Sequence, residues 1–258
     1  MTVSMTSTSE GRVGRSLGDI AFGASVAGPA HIAAGLPNQD AWASSRWRTE
    51  GGTVHCAVVC DGLGSRPQAR EGARAGVRAA KRAARQWARA PGAPTGLLVR
   101  LLEVLWRLEV APLRPDDCAT TCLMVLALPS GDEWRLVTVA LGDGLAAIET
   151  PEGFRKLGGR TEEQFSNVTV ALGTPHHMDA WQIQEVKATD QFRVLLLSDG
   201  IADDVTEENL PEFLRWLGDL EGRPAPARGK ALRRTLRQWP VPGHSDDKTV
   251  VYLRVKGV

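Results

Sequence analysis

The sequence predicts an α+β fold in one large domain, with sheets covered by helices. Strand-like apolar runs occur in two batches, with helix-like segments between and after them, which is typical of layered α+β proteins. Several connections between these runs are only a few residues long, so neighbouring strands should pair antiparallel. A chain of 258 residues that is 43% hydrophobic can bury a substantial core.

Six segments have the composition of β-strands. They are rich in valine, leucine and isoleucine, and several alternate apolar with polar residues. The second and third are joined by the hairpin-like PSGDE, and the third and fourth by Gly-Asp-Gly alone, so we expect a meander here. The predicted strands cover residues 54–60, 122–128, 134–141, 145–149, 192–198 and 249–255.

Four segments are predicted to be helical, at 68–89, 96–110, 206–218 and 227–238. In the first, small apolar residues recur at three- and four-residue spacing, which is typical of a helix packed closely on a sheet. Its other faces carry a basic stripe. A solvated helix face is the usual explanation for such a stripe, and contact with nucleic-acid phosphates is the alternative. The stripe consists of Arg70, Arg74, Arg78, Lys81, Arg82, Arg85 and Arg89.

Charge and hydropathy argue against several classes of function. The net charge of +1 gives no field that would recruit nucleic acid or a membrane surface. No run approaches the roughly 20 apolar residues of a membrane span. The start, MTVSMTSTSEGRVGRS, lacks the hydrophobic stretch of a secretory signal. We therefore expect a cytoplasmic protein with a disordered leader at 1–16 and a single domain at 17–258.

Four cysteines form two Cys-x3-Cys pairs, which raises the alternative of a zinc site. Cys56 and Cys60 lie in one predicted strand, where residues four apart are separated by about 13 Å, too far to share one ion. We therefore expect buried, reduced thiols.

Three Asp-Gly pairs follow strand-like apolar runs, at Asp61, Asp143 and Asp199. Asp143 lies between two predicted strands, where a hairpin turn explains it. Asp61 and Asp199 precede loops that lead into helices, and a carboxylate at the buried end of a strand is costly unless paired, hydrogen-bonded or bound to a cation. With Asp40 and Asp246 they form a scattered all-aspartate set, typical of sites for hard divalent cations. Most of the chain's 30 acidic residues must nevertheless be solvated.

Six short motifs, taken in order, resemble the metal-dependent protein phosphatases of type 2C. No single motif is specific, but six in the correct order and spacing, from about residue 24 to 255, are hard to obtain by chance. The lead-in AHIAAGLPNQD is most similar to a bacterial branch of the family. The resemblance implies an α-β-β-α sandwich of two mostly antiparallel sheets flanked by helices. The motifs are NQD (38–40), VVCDGLG (58–64), ATT (119–121), LGDG (141–144), LLLSDG (195–200) and SDDKT (245–249).

The resemblance also implies a set of metal ligands. Asp61 matches the acid that bridges two Mn²⁺ or Mg²⁺ ions, and the carbonyl group of Gly62 matches a further ligand. Asp199 and Asp246 match carboxylates on one of the ions. Asp143 matches the acid that helps to hold a weaker third metal in many members.

The implied reaction is hydrolysis of a phosphoserine or phosphothreonine ester in a phosphoprotein substrate of a serine/threonine kinase. Two cations activate a water, which attacks phosphorus without a covalent enzyme intermediate. Asp40 matches an acid near the metal pair that orients the water, and Thr120 and Thr121 match a structural motif in the core.

The sequence departs from the family pattern at several positions. Gly35 stands where many members have an arginine that binds substrate phosphate. His31 nearby is a candidate phosphate donor or catalytic proton source, with a structural role as the more common alternative. Gln39 replaces a common glutamate. Because Asp247 replaces the frequent asparagine after the last ligand, either Asp246 or Asp247 could coordinate, and the register of SDDKT favours Asp246.

These observations leave three hypotheses for the function. The first is an active protein serine/threonine phosphatase. The second is a catalytically weak, phosphatase-like regulatory or binding domain, which rests on Gly35 and Gln39, although the four principal metal aspartates are present. The third is nucleic-acid binding through the basic helix, against which the net charge argues. The sequence leaves the particular phosphoprotein, the physiological metal and the oligomeric state open.

Overall fold

Two five-stranded antiparallel sheets form the centre of the computed structural model, which describes residues 18–90, 92–159, 169–239, 241 and 245–256. The leader expected at 1–16 lies outside the described residues. The strands are β1 (Ile20–Val26), β2 (Asp40–Thr49), β3 (Gly52–Asp61), β4 (Cys122–Ser130), β5 (Glu133–Leu141), β6 (Leu145–Thr150), β7 (Gly153–Gly158), β8 (Gln182–Ala188), β9 (Phe192–Leu197) and β10 (Lys248–Val255).

Helices cover the outer faces of both sheets. The first sheet has the order β2-β3-β4-β5-β8 and the second the order β1-β10-β9-β6-β7. The helices are α1 (Pro29–Ala33), α2 (Ala69–Trp87), α3 (Thr95–Val110), α4 (Asp199–Ala202), α5 (Leu210–Asp219) and α6 (Ala225–Arg237). Because α2 and α3 pack on the first sheet and α5 and α6 on the second, the predicted α-β-β-α sandwich is confirmed. No helix in the described ranges is long and apolar enough to cross a membrane.

Strand β3 shows why the central strands are continuously apolar. Cys60 faces the helices, whereas Ala57 and Val59 face the second sheet. Because successive side chains alternate between faces, a strand with a core on both sides is apolar over most of its length. Close packing of α2 depends on small residues, since a Cβ added at Gly76 would lie 2.8 Å from the Sγ atom of Cys60. All four cysteines are buried and free, as predicted.

The predicted hairpin through Gly142-Asp143-Gly144 is wrong. Strand β5 belongs to the first sheet and β6 to the second, so this connection passes between the sheets. Gly142 has a φ of +106°, which glycine adopts without a Cβ clash, and the chain there leaves one sheet for the other.

The helix predicted at 206–218 begins later than expected. A 3₁₀ turn at Glu207–Asn209 follows Thr206, and the regular helix starts at Leu210. Pro211 lies in the first turn of that helix, where its missing N–H costs no hydrogen bond.

Candidate metal centre

The predicted aspartates converge where strands of both sheets end. Asp40 begins β2 and Asp61 ends β3, and the two residues are direct partners in the antiparallel register. Side chains of such partners point to the same face of a sheet. Asp199 directly follows Ser198 at the end of β9, in the second sheet.

Asp40 is held by two hydroxyl groups that sequence reasoning missed. Its Oδ2 accepts hydrogen bonds from Ser198 Oγ at 2.9 Å and from Thr249 Oγ1 at 2.6 Å. Its Oδ1 is buried and has no hydrogen-bond partner within the described ranges. One side of the carboxylate is therefore anchored to the second sheet, and the other side is left for a ligand.

Burial, and secondarily the charges of neighbouring acids, raise the pKa values of the carboxyl groups in this cluster. Burial raises the pKa of Asp40 to about 7 and that of Asp199 to about 6. Burial, together with the charges of Asp40 and Asp199, raises the pKa of Asp61 well above its ordinary value. The carboxyl groups of Asp61 and Asp199 lie close enough to interact directly. The negative charge of Asp246 contributes to the raised pKa values of both.

The main chain at Asp61 is fixed by the threonine pair. Thr121 Oγ1 accepts a hydrogen bond from the Asp61 N–H at 3.0 Å, and the Thr121 N–H donates to the Asp61 carbonyl oxygen at 2.7 Å. Thr120 Oγ1 donates to that same oxygen at 2.8 Å. The backbone of Gly62 lies against α2, where an added Cβ would be 2.5 Å from the carbonyl oxygen of Ala69. These contacts favour a structural role for both threonines and explain the need for glycine.

Asp247 serves as a structural acceptor next to the cluster. It is 1% exposed, and its carboxylate accepts hydrogen bonds from the N–H of Gly28 at 2.7 Å and of Gln39 at 2.6 Å. The Nδ1 atom of His31 lies 2.8 Å from Asp247 Oδ1. Ligand atoms of His31, Asp246 and Asp247 also lie within 4.8 Å of one another. Because Asp247 already has three partners and Asp246 is exposed, this arrangement favours Asp246 as the ligand.

Asp143 and Gly35 occupy the margin of the cluster. Asp143 Oδ2 accepts a hydrogen bond from Thr169 Oγ1 at 3.1 Å, and the negative charge of Asp143 raises the pKa of Asp199. Gly35 follows α1 with a φ of +67° and has open space around its Cα. An arginine at this position would be strained by the backbone rather than by lack of room.

The residues of this cluster fit hard divalent cations. The side-chain donors are carboxylate oxygens from both sheets, which Mg²⁺ and Mn²⁺ prefer. The Oδ1 atom of Asp40 has no hydrogen-bond partner among the described residues, as expected for an acceptor that binds a ligand rather than another protein group. Carboxylates whose mutual repulsion raises their pKa values are relieved by a bound cation. The cluster is therefore suited to hold metal.

Comparison with known proteins assigns the chain to a family. The family model described as protein phosphatase 2C matches residues 27–239, so the chain belongs to the protein phosphatase 2C family. A sequence search of the curated proteins finds no match.

Solved structures share the fold at low sequence identity. The catalytic domain of the serine threonine protein phosphatase PstP, in complex with two manganese ions, has a TM-score of 0.56 and 19% identity, over 92% of this chain and 99% of that one. The Ser-Thr phosphatase MsPP from Mycobacterium smegmatis, in complex with cacodylate, has a TM-score of 0.57 and 20% identity, over 91% and 97%. RsbX in complex with magnesium has a TM-score of 0.55 and 11% identity, over 92% and 94%.

Proposed function

We propose that this chain is a metal-dependent protein serine/threonine phosphatase, with residues 17–258 as one cytoplasmic catalytic domain. The observation that carries the proposal is the cluster of carboxyl groups from both sheets, whose pKa values are raised by burial and by mutual repulsion, with the unpartnered Oδ1 of Asp40 among them. Support also comes from the family match and from relatives solved with manganese or magnesium.

Residues of the cluster divide into metal ligands and residues that act on water or phosphate. Asp61, Asp199, Asp246 and the carbonyl group of Gly62 would hold two Mn²⁺ or Mg²⁺ ions, and Asp143 would help to hold a weaker third. Bound cations would supply a water that ionises near neutral pH and would offset the charge of the phosphoryl group.

Asp40 is suited to orient the attacking water. Its Oδ2 is locked by the hydroxyl groups of Ser198 and Thr249, so its Oδ1 is held in one direction as an acceptor for a water hydrogen. A carboxylate that does not rotate fixes the direction of attack, and such orientation contributes to rate by lowering the entropic cost of reaction.

His31 is suited to donate a hydrogen bond to phosphate. Asp247 engages Nδ1 of the ring and thereby orients it. The other ring nitrogen, Nε2, faces the loop at Gly64, 3.9 Å from the place where a Cβ on that glycine would lie. A protonated His31 would present an N–H group there, in place of the arginine that is missing at Gly35.

Hydrolysis assays with and without Mn²⁺ test the proposal. The substrates are a small aryl phosphate and a phosphothreonine peptide. We expect Mn²⁺-dependent turnover that falls at least about 100-fold in Asp61→Ala and Asp199→Ala, because each removes a metal ligand. Asp132→Ala, in the exposed turn between β4 and β5, is the matched control and should retain turnover.

Calorimetric titration with Mn²⁺ separates the proposed enzyme from its main alternative. Mn²⁺ binding that depends on Asp61, without turnover of either substrate, would indicate a phosphatase-like regulatory or binding domain. A folded protein that neither binds Mn²⁺ nor turns over either substrate would contradict both the metal centre and the phosphatase.

A further inference from the structure

The basic stripe on α2 contains arginines with different partners. Arg78 and Arg82 both bind Glu109 of α3 through hydrogen-bonded ion pairs. Arg70 and Arg74 line a cavity together with β2, and in the part of the chain that the structure describes neither is paired with a carboxylate. Arg70 and Arg74 are therefore accessible to a ligand in this cavity.

The first cavity opens beside the candidate metal centre. It has a volume of about 420 Å³ and is lined by Asp40 and Trp42 of β2 and by Arg70 and Arg74 of α2. Because Asp40 belongs to the acid cluster, a phosphorylated residue bound there would have its chain neighbours next to this cavity. The positively charged side chains of Arg70 and Arg74 therefore lie where the residues flanking a phosphosite would be.

A second cavity lies at the other end of the same strand and helix. It has a volume of about 800 Å³, and its lining includes Trp47 and Arg48 of β2, Arg85 in the last turn of α2 and Arg89 just after that helix. The guanidinium group of Arg85 lies 5.6 Å from the ring centroid of Trp47, which keeps this cation at the cavity wall. Four arginines and a single acid, Glu50, are among the residues that line it, and one of the four, Arg135, is paired with Glu185.

Strand β2 connects the two cavities along an open edge of the first sheet. It is the terminal strand in that sheet, so its outer side offers backbone groups for pairing with an extended segment. From Asp40 to Trp47 the strand spans about 23 Å, which an extended segment of about seven residues would cover. A protein with a net charge of +1 thus places arginines in both cavities beside β2, and we call these two cavities, with the strand edge between them, the groove. Such a groove is complementary to an acidic chain.

We propose that this groove, lined by Arg70, Arg74, Arg85 and Arg89, binds acidic residues that flank the phosphorylated residue of the substrate protein. The inference rests on the proposed function and adds a substrate class to it. The class comprises phosphoproteins with Asp or Glu within about seven residues of the phosphosite, the length set by the span of β2.

Three phosphothreonine peptides test the groove. The first carries acids at the four positions nearest the phosphothreonine on each side. The second carries acids only at the next four positions on each side, with glutamine at the nearer ones. The third carries glutamine at all of these positions. The readout is kcat/KM for each acidic peptide divided by that for the glutamine peptide, measured in the same protein variant at low salt, where exposed charges are least screened.

Each arginine pair should affect a different peptide. Arg85→Gln/Arg89→Gln should lower the ratio about fivefold for the peptide with distant acids, and Arg70→Gln/Arg74→Gln should do so for the peptide with near acids. The control is Arg100→Gln/Arg107→Gln, which removes the same charge from exposed positions on α3 and should leave both ratios unchanged. The proposal would be overturned if the wild type has equal kcat/KM for all three peptides. It would also be overturned if the ratios fall as much in the control variant as in the two groove variants.

Direct binding separates failure of the groove from failure of the phosphatase. Fluorescence anisotropy with a labelled, unphosphorylated acidic peptide should show salt-sensitive binding that is weakened in Arg85→Gln/Arg89→Gln. Such binding without any turnover would support the docking site and contradict the phosphatase proposal. If a protein with turnover does not bind the peptide, only the docking proposal is contradicted. Equal affinity for a DNA oligonucleotide of the same charge would assign the groove to nucleic acid and overturn the peptide proposal.

Discussion

The metal-free protein should become more stable at neutral pH when Asp40 is changed to asparagine. Asparagine keeps a carbonyl oxygen that accepts the hydroxyl hydrogens of Ser198 and Thr249. Its amide group would replace the buried Oδ1, which has no protein partner among the described residues, and would offer N–H donors to the neighbouring acids. The substitution therefore removes a repelling charge with little change in shape.

The size of the effect follows from the pKa of Asp40. Burial raises this pKa in the folded protein to about 7, from an ordinary value of 3.8 that applies to the unfolded chain. Between these two values the folded state binds a proton that the unfolded state has lost, so the free energy of unfolding falls as the pH rises. At about 1.36 kcal/mol for each pH unit in this window, the full loss is about 4 kcal/mol and is complete above about pH 7. About 3 kcal/mol of it falls between pH 5 and pH 8.

Urea unfolding in EDTA at pH 5 and pH 8 measures this difference. The wild type should lose about 3 kcal/mol more than Asp40→Asn between the two pH values, and the variant should be the more stable protein at pH 8. Asp132→Asn, in the exposed turn between β4 and β5, should behave as the wild type does. Added Mn²⁺ should stabilise the wild type more than the variant. Parallel pH profiles, or a variant that is less stable at pH 8 in EDTA, would refute the reasoning.

Three further substitutions or measurements test other parts of the site. Gly62→Ala should destabilise the fold by about 2 kcal/mol in urea unfolding, because the new methyl group would lie 2.5 Å from a helix carbonyl oxygen; Gly64→Ala, whose nearest neighbour would be 3.8 Å away, should not. Asp247→Ala should lower the free energy of unfolding by about 3 kcal/mol, because the buried N–H of Gly28 loses its acceptor; an unchanged melting temperature would contradict this. Burial raises the pKa of Cys56 to about 12, so a disulfide reagent at pH 8 should label the native protein far more slowly than the protein in urea.

Two of the metal-site acids could be predicted from sequence because each one interrupts a local pattern. Asp61 and Asp199 end apolar runs, where an unpaired carboxylate would be costly, and that cost is visible without a structure. The roles of Ser198 and Thr249 could not be predicted in this way. They contact Asp40 across 158 and 209 residues of chain, so their function depends on how the two sheets stack.

Sheet membership was harder to predict than strand position. The connection at Gly142-Asp143-Gly144 has the length of a hairpin, yet the strands on either side find partners elsewhere, β5 with β8 and β6 with β9. Both partner strands lie far along the chain, and nothing local reveals the pairing. Strand β2 was missed for a different reason. As an edge strand it is largely half-exposed, and its sequence DAWASSRWRT carries no apolar run.

The turn between β2 and β3 has a consequence for how this chain can vary in length. Thr49 pairs with Gly52, which leaves only Glu50 and Gly51 between the strands. The pairing register then continues without interruption to Asp40 opposite Asp61. One residue inserted or deleted there would shift the pairing and turn one of the two carboxylates to the wrong face. Surface turns usually accept insertions and deletions freely. In proteins that keep this centre, natural insertions should be absent from this turn, although it lies about 30 Å from the acids.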